Sequence, residues 1–349
     1  MKIDYQKVNK KDIEKLTLEK NMNIAAADAL FEFSFYKDKT TIDINDRLSS
    51  LVKYLELNLN DKEDRYFLDT RIIKAIKKLD INDYKNDFFR NHINPKDYKD
   101  KDYQLTYLSF RPYQCFPYDD ISVDSNFVEV SRIGYFDKPF PYLAVLKKDV
   151  VWMSTDPNEI NTMKKPISEA KGRVLAFGLG LGYFPVMTAL KEDVKEVTVV
   201  ECDPKIIEIF KKHILPLVPF KNKIHIVQAD AFEYAKKDLD KEFDYLFIDI
   251  WHNPEDGLPM YLKLKKLLKM KKITICYWLE KSILAMYRRC LLTIIEENMT
   301  GYTKENYRKA KNEYDQIIND LYFKTEHMSF DSIEKIKDLL QDKELEKLI

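Results

Sequence analysis

The fold of this chain is decided by the sequence RVLAFGLGLGYFPVMTAL, which occupies residues 173–190. It places Gly178, Gly180 and Gly182 within five residues, although the 349-residue chain has only 7 glycines. Average usage of about 7% would give roughly 24 glycines. A chain that is poor in glycine and then clusters it needs backbone conformations there that other residues adopt only with strain. The apolar residues before the loop predict a buried strand, and those after it predict a buried helix.

Downstream of this loop, strand-like and helix-like segments alternate. Short apolar strands are predicted at RVLAF (173–177), VTVVE (197–201), IHIVQ (224–228), FDYLFID (243–249) and ITICYWL (273–279). Helices are predicted between them, near residues 183–191, 204–213 and 256–269. Strands that alternate with helices form a parallel sheet with helices on both faces. We therefore predict an α/β fold: a Rossmann-like, doubly wound, mainly parallel sheet, within a cofactor-binding domain over residues 171–280.

The rest of the chain predicts three further parts. Residues 1–120 are predicted to be a mainly helical N-terminal domain, because apolar residues recur there at helical spacing. Residues 121–170 are predicted to hold a β-hairpin that turns at Lys147–Asp149, followed by a linker at 155–170. Residues 281–349 are predicted to form a helical C-terminal extension of about three helices.

Aromatic residues crowd one stretch of the N-terminal part. Six of them accompany Arg111 between Tyr103 and Tyr118. Aromatic faces and one cation suit a planar or anionic ligand. The same residues also suit the packing of a domain interface, and the sequence leaves both interpretations open.

Charge, cysteine and histidine usage limit the class of protein. Lys plus Arg and Asp plus Glu both number 58, so the net charge is zero and a chain-wide basic surface for nucleic acid is not expected. The run YLKLKKLLKMKK (261–272) carries six lysines, which fit a solvated helix face or, alternatively, an RNA contact. The four cysteines show no CxxC spacing and the five histidines no HExxH or HxH pairing, so no metal site is expected.

No membrane segment or secretory signal is expected either. The first residues, MKIDYQKVNKKDIEK, contain no apolar stretch. The uncharged run 174–190 is interrupted by three glycines and Pro185, which argues against a spanning helix. We expect a cytoplasmic protein with a small-molecule substrate. A homo-oligomer is left open.

Acidic residues stand at the ends of the predicted strands after the glycine loop. Glu201 ends the second strand, 21 residues after Gly180; Asp230 follows the third, and Asp249 ends the fourth. The carboxyl ends of parallel strands form the ligand-binding edge of such a sheet, where a carboxylate can accept the hydroxyls of a ribose. Asp203 precedes Pro204 and a helix, which favours a helix N-cap. The dinucleotide pattern GxGxxG is not met, since Tyr183 or Pro185 stands at its last position.

These residues resemble the class I S-adenosylmethionine-dependent methyltransferases. In that family the glycine loop faces the methionine end of the cofactor, the acid after the second strand binds the ribose, and the acid after the third binds the adenine amino group. The resemblance implies that S-adenosylmethionine is bound by Gly178, Gly180, Gly182, Glu201, Asp230, Ala231 and Asp249. Within the superfamily, VVECDPKIIEIFKKHI and IVQADAFEYAKK are most similar to the spermidine synthase-like branch.

The chain also departs from that branch. The aminopropyltransferases have an acid inside the glycine loop, where Leu181 stands here, and a DSxDP-like segment, where Asp249-Ile-Trp251-His252 stands here. The resemblance therefore favours a methyltransferase acting on a small molecule, with aminopropyl transfer or a non-enzymatic scaffold as alternatives. Asp249 and His252 are the candidate catalytic residues, as base or hydrogen-bond acceptor. Trp251, Trp278 and Glu280 are candidates for lining the substrate pocket.

Overall fold

A computed structural model describes residues 1–35, 43–301 and 309–349 of the chain. Helices and strands are numbered in chain order below.

The centre of the molecule is a parallel sheet of five strands. Its strands are β9 (Gly172–Phe177), β10 (Val194–Glu201), β11 (Ile224–Gln228), β12 (Tyr245–Ile248) and β13 (Thr274–Tyr277). They lie in the order β11-β10-β9-β12-β13, and every neighbouring pair is parallel. The predicted α/β fold is confirmed, and each of the five predicted strands overlaps an observed one. The order reverses at β9, so the ligand crevice of such a sheet falls at the carboxyl ends of β9 and β12.

Helices connect these strands and cover the sheet. They are α6 (Tyr183–Ala189), α7 (Pro204–Ile209), α8 (Ala231–Tyr234), α9 (Leu239–Glu242) and α10 (Pro254–Leu268). Helix α7 continues as a π-helical turn over Phe210–Ile214. The core strands are apolar on both faces: Val174, Leu175, Ala176 and Phe177 are all fully buried. Burial on both faces explains why these strands appear in the sequence as continuous apolar runs rather than alternating ones.

The N-terminal part is helical only in its first half. It contains β1 (Lys2–Ile3), α1 (Lys10–Phe35), α2 (Ile44–Tyr54), α3 (Lys62–Phe67), β2 (Ile76–Lys78) and α4 (Phe88–His92). The prediction of a mainly helical segment up to residue 120 is wrong beyond this point. Strands β3 (Tyr98–Lys99), β4 (Tyr103–Phe110) and β5 (Phe116–Val123) follow. In β4 the buried residues Tyr103 and Leu105 alternate with partly exposed ones, which is strand periodicity.

The predicted β-hairpin is confirmed, and it belongs to a separate antiparallel sheet. Strands β6 (Glu129–Tyr135), β7 (Phe140–Lys147) and β8 (Val150–Ser154) follow β5. Strands β7 and β8 pair through a turn at Lys148 and Asp149, whose φ angles of 52° and 63° are those of the hairpin turn that matches strand twist. The two small sheets have the orders β3-β4-β7-β8 and β2-β6-β5.

The segment predicted as a linker, residues 155–170, is a helix instead. Helix α5 spans Pro157–Glu169. Asp156 caps it by accepting the backbone N–H groups of Asn158 and Glu159, and Pro157 occupies the first helical position. Asp followed by Pro is a helix-start signal that outweighs the polar composition of this stretch.

The C-terminal extension is helical, as predicted, with one more helix than expected among the described residues. It contains α11 (Glu280–Met299), α12 (Glu313–Thr325), β14 (Ser329–Phe330), α13 (Ile333–Leu339) and α14 (Asp342–Lys347). Strand β14 pairs with β1, so the first residues of the chain lie against the last helices. One core cluster runs from Met1 to Leu348, and a second joins parts of α1, α2 and β6. The four-part domain division stays a prediction.

None of the described helices is long and apolar enough to cross a membrane. No group of three or more His, Cys, Asp or Glu side chains within the described ranges is arranged to hold a metal ion.

Candidate functional site

The three glycines of the loop have different structural roles. Gly178 has φ 95°, and a Cβ there would lie 1.9 Å from the carbonyl oxygen of Asp249. Gly182 caps α6 at φ 79°, and a Cβ there would lie 2.1 Å from the ring of Phe210. Gly180 has φ 54° and nothing within 4 Å of the same position. Close packing therefore explains two glycines, while Gly180 borders open space that a ligand can enter.

The carboxylate of Glu201 holds the glycine loop in place. Glu201 ends β10 and is 8% exposed. Its Oε2 accepts the backbone N–H of Leu179 at 3.1 Å, and its Oε1 accepts that of Asp203 at 2.7 Å. A carboxylate has about four lone-pair sites, so two remain for ligand hydroxyls.

Asp203 connects this edge to the antiparallel sheet. It caps α7 through a hydrogen bond from the backbone N–H of Lys205 at 2.9 Å, which confirms the predicted N-cap. Its Oδ2 accepts the Tyr103 hydroxyl at 2.6 Å and lies 3.5 Å from the ammonium of Lys147. Tyr103 is the one member of the predicted aromatic segment that this contact brings to the strand ends. Phe110 and Phe116 from the same segment stack on each other at 3.9 Å in the core.

Asp230 and Ala231 stand after β11, where the resemblance expects the adenine ring. Asp230 is exposed and caps α8 by accepting the backbone N–H of Glu233 at 3.0 Å. Ala231 begins that helix and is 9% exposed. Capping accounts for one carboxylate oxygen of Asp230, and the exposed position leaves the side chain accessible.

Asp249 is the most perturbed acid at these strand ends. Its backbone N–H bonds to the Phe177 carbonyl at 2.9 Å, which fixes it beside the glycine loop. Its carboxylate makes no hydrogen bond or ion pair with any described residue. Burial, and next the negative charge of Glu201, raise the pKa of Asp249 to about 7.

Glu159 is a site residue that the sequence reasoning missed. It lies in the first turn of α5 and is half-buried. Burial raises the pKa of Glu159 well above its usual value, and the negative charges of Asp249 and Asp156 add to this effect. No side-chain hydrogen bond or ion pair of Glu159 occurs within the described ranges. The only sequence signal was the Asp156-Pro157 helix start directly before the glycine-loop strand.

His252 is held at the surface by local contacts. Its side chain is exposed, and Nδ1 lies 3.0 Å from a carboxylate oxygen of Asp256. The Trp152 indole meets its ring edge-on at 4.2 Å between centroids. His252 is therefore a surface residue whose ring is engaged by Asp256 and Trp152.

The three predicted pocket residues are largely engaged by the protein itself. Trp251 and Trp278 are 4% and 9% exposed. The Trp251 indole N–H donates to the Trp278 carbonyl at 3.2 Å, and that of Trp278 donates to the Thr162 hydroxyl at 2.9 Å. Glu280 accepts the Tyr261 hydroxyl at 2.8 Å and pairs with Lys265 at 3.1 Å. Any role in lining a pocket stays a prediction for all three.

The β7–β8 hairpin contacts two loops, one after β10 and one after β12, which lie on either side of the glycine loop. Lys147 of β7 pairs with Asp203, which follows β10. The ammonium of Lys147 also lies 4.5 Å from the Trp152 ring centroid. Trp152 of β8 contacts His252, which follows β12. Strands β10 and β12 flank β9 in the sheet, so the hairpin contacts the loops on both sides of the glycine loop.

Comparisons with known proteins give a limited result. No protein-family model matches the chain, and no curated protein matches it. Among solved structures, spermidine synthase from Thermotoga maritima is similar at 15% identity and a TM-score of 0.31, over 43% of this chain and 58% of that one. A spermidine synthase in complex with the transition state analogue AdoDATO is similar at 16% identity and a TM-score of 0.33, over 43% of this chain and 60% of that one.

The chain thus spans less than two thirds of the length of both neighbours. At these values the fold assignment rests on the parallel direction and order of β9 to β13. That sheet defines a Rossmann-like α/β protein, the class to which the sequence resemblance pointed.

Proposed function

We propose that the protein is a transferase that binds S-adenosylmethionine at the carboxyl ends of β9 to β12 and methylates a small basic amine. The observation that carries this proposal is the carboxylate of Asp249. It lies next to the glycine loop, has no partner among the described residues and has a pKa of about 7. A group that is poised to exchange a proton near neutral pH is a candidate general base.

The residues present fit an adenosyl sulfonium group. The open space beside Gly180 allows close approach of a ligand to the loop backbone. The free lone pairs of Glu201 suit ribose hydroxyls, and Asp230 with the backbone N–H of Ala231 suits the adenine edge. Glu201 and the ionised form of Asp249 place negative charge at this edge, which favours a cation over a neutral ligand. When bound, the sulfonium supplies an electrophilic methyl carbon.

Asp249 removes the proton that the amine must lose. The amine nitrogen forms the new N–C bond as the C–S bond breaks, and the bonding pair leaves on sulfur as a neutral thioether. The proton of the attacking amine moves to a carboxylate oxygen of Asp249. Glu201 raises the proton affinity of Asp249 through its negative charge, and the charge of Asp249 in turn raises the pKa of Glu159. The β7–β8 hairpin excludes water from this reaction.

Aminopropyl transfer is the second candidate. In its favour, Glu159 supplies a second carboxyl group that interacts electrostatically with Asp249, and such a pair can bind an ammonium on the transferred group. Against it, the glycine loop has Leu181 at the position where the resemblance expects an acid, and Leu181 is 4% exposed. The donor decides between the two candidates: S-adenosylmethionine for methyl transfer, and its decarboxylated form for aminopropyl transfer.

Calorimetry with S-adenosylhomocysteine tests the cofactor site. We expect binding to the wild-type protein that is weakened at least about tenfold by Asp230→Ala, a loss of about 1.4 kcal/mol. Lys138→Ala, an exposed change in the β6–β7 loop, is the control. No binding, together with no thermal shift with any adenosyl compound, favours the non-enzymatic scaffold.

Mass spectrometry of small amines incubated with each donor tests the reaction. With an acceptor that is turned over, Asp249→Asn is expected to lower kcat by about 10²-fold or more. His252→Ala is expected to change it less than about threefold, because His252 is exposed and bonded to Asp256. A larger loss for His252→Ala than for Asp249→Asn would reverse the assigned roles.

A further inference from the structure

Helix α10 ends in a cluster of lysines that the proposed transferase does not use. Residues 261–272 contain six lysines. The helix starts at Pro254, after β12, and ends at Leu268, shortly before β13 begins. Because α10 runs antiparallel to the strands, its final turn lies at the amino-terminal edge of the sheet. This edge is opposite to the glycine loop.

A lysine from another helix joins this cluster in space. Lys324 of α12 lies beside Lys266, where α12 packs on α10. Burial, followed by the positive charges of Lys266 and Lys269, lowers the pKa of Lys324; Asp320 opposes this shift. We call Lys266, Lys269, Lys271, Lys272 and Lys324 the lysine patch. Lys266 and Lys269 are close enough to Lys324 to repel it.

Asp238 and Asp240, near the end of α10, are engaged by other groups, whereas Asp320 lies near Lys324. Asp240 accepts the backbone N–H groups of Lys272 and Ile273, and Asp238 pairs with Lys241 at 2.6 Å. The ammonium groups of Lys266, Lys269 and Lys272 have no hydrogen bond or ion pair within the described ranges. The patch therefore carries a local positive charge although the whole chain has a net charge of zero.

Met270 protrudes among the lysines of the patch. It lies between Lys269 and Lys271 and is 88% exposed, the highest value among the large apolar side chains that the structure describes. An apolar side chain surrounded by lysines suits the boundary between lipid headgroups and acyl chains.

We propose that the lysine patch and Met270 dock this edge of the protein onto an anionic lipid surface. Such contact needs no spanning helix, and it revises the expectation that a membrane is not a partner. Two observations favour lipid over nucleic acid. The patch contains only lysine, whereas phosphate and base recognition favours the fork of arginine. Its turn exposes a methionine and no aromatic ring on which a base can stack.

Co-sedimentation with vesicles tests this proposal with the full chain, and it does not depend on the cofactor. Vesicles of phosphatidylcholine containing about 30% phosphatidylserine are compared with pure phosphatidylcholine, at low and high salt. Each lysine close to an anionic membrane surface increases the binding affinity about fivefold. We expect binding only to the anionic vesicles, weakened by salt, and at least about 20-fold weaker for Lys269→Glu/Lys272→Glu.

Matched variants separate the patch from general charge effects. Lys11→Glu/Lys138→Glu makes the same charge change at exposed lysines outside the patch and is expected to weaken binding less than about threefold. Met270→Ser is expected to weaken it by about three- to tenfold without changing charge. Circular dichroism confirms that each variant is folded.

Two results would overturn the proposal. One is wild-type protein that does not sediment with anionic vesicles at low salt, or that does so equally after Lys269→Glu/Lys272→Glu. The other is tighter binding, at the same salt, to a single-stranded or double-stranded oligonucleotide than to the vesicles. In either case the state of the cofactor site is read separately from S-adenosylhomocysteine binding.

Discussion

Oε2 of Glu201 accepts the backbone N–H of Leu179 at 3.1 Å, so the acid that ends the second parallel strand holds the glycine loop that ends the first. The same carboxylate lies near enough to Asp249 to raise its pKa. Glu201 therefore has two effects before any ligand binds: it orders the loop backbone and makes the adjacent acid a better proton acceptor.

Replacing Glu201 tests the first effect. Glu201→Ala leaves the N–H groups of Leu179 and Asp203 without their protein acceptor. Because hydrogen bonds to a charged group contribute about 1.5–3 kcal/mol, we expect the free energy of unfolding without ligand to fall by about 2–4 kcal/mol. Urea denaturation measures it. Asp230→Ala removes only an exposed cap and is expected to cost about 1 kcal/mol or less. Wild-type stability in Glu201→Ala would mean that the carboxylate does not order the loop.

Two glycine substitutions separate packing from ligand access. Gly178→Ala puts a methyl group 1.9 Å from the backbone of Asp249, so we expect a loss of about 3 kcal/mol or more, or no folded protein. Gly180→Ala meets no atom within 4 Å, and its left-handed backbone costs about 1–2 kcal/mol. We expect that variant to fold, because nothing collides with the new methyl group.

The same Gly180→Ala protein tests the site. Its methyl group fills the open space beside the loop, so we expect S-adenosylhomocysteine binding to fall by at least about tenfold, a loss of about 1.4 kcal/mol. Calorimetry on the folded variant measures it. Unchanged affinity would place the ligand elsewhere.

The raised pKa of Asp249 predicts a pH-dependent stability. In the unfolded chain this group titrates near its ordinary value of 3.8, and in the folded chain near 7. The folded state thus binds the proton more tightly, so the contribution to stability is fully present below about pH 4 and is lost as the pH rises to about 7. The raised pKa of Glu159 acts in the same direction.

Asp249→Asn removes the contribution of Asp249 to this dependence. We expect the variant to be more stable than wild type by about 1–2 kcal/mol at about pH 8, after allowing for solvent screening of a half-buried group. At about pH 4 the two proteins should be nearly equal. Urea denaturation at both pH values measures the difference. A variant that is less stable than wild type at the higher pH would show that the ionised carboxylate has a stabilising partner.

Asp203 allows the hairpin contact to be separated from helix capping. Asp203→Asn keeps an oxygen for the Lys205 N–H but loses the ion pair with Lys147, whereas Asp203→Ala loses both. We expect Asp203→Ala to be less stable than Asp203→Asn by about 1 kcal/mol, the worth of the cap. Thermal or urea denaturation measures this difference.

Both Asp203 variants should loosen the hairpin. We expect Trp152 fluorescence to become more accessible to acrylamide in each, since Lys147 then has no anchor on the β10 side. Trp152→Phe supplies the background from buried Trp251 and Trp278. Equal acrylamide quenching of the wild type, Asp203→Ala and Asp203→Asn would mean that Lys147 does not hold the hairpin.

The sequence alone determined the sheet, the loop and the acids at the strand ends. The central strands β9 and β12 were predictable because burial on both faces produces continuous apolar runs, and this signal is local. The positions of Gly178, Gly180 and Gly182 marked left-handed backbone, which is also a local requirement. Asp203 followed by Pro204 indicated a helix start that the structure confirms. The equivalent signal at Asp156 and Pro157 was overlooked.

Only the tertiary structure decided which side chains meet at those strand ends. The charge of Asp249 acts on Glu159, and Trp152 lies against His252, although each pair is far apart in sequence. In the folded chain the Trp251 and Trp278 side chains are buried, and Glu280 contacts Tyr261 and Lys265. It also showed that Glu201 is bonded to the loop and that Asp249 is not bonded to any described residue. These are long-range contacts, and the periodicity of a segment constrains the face it buries but not the partner it buries that face against.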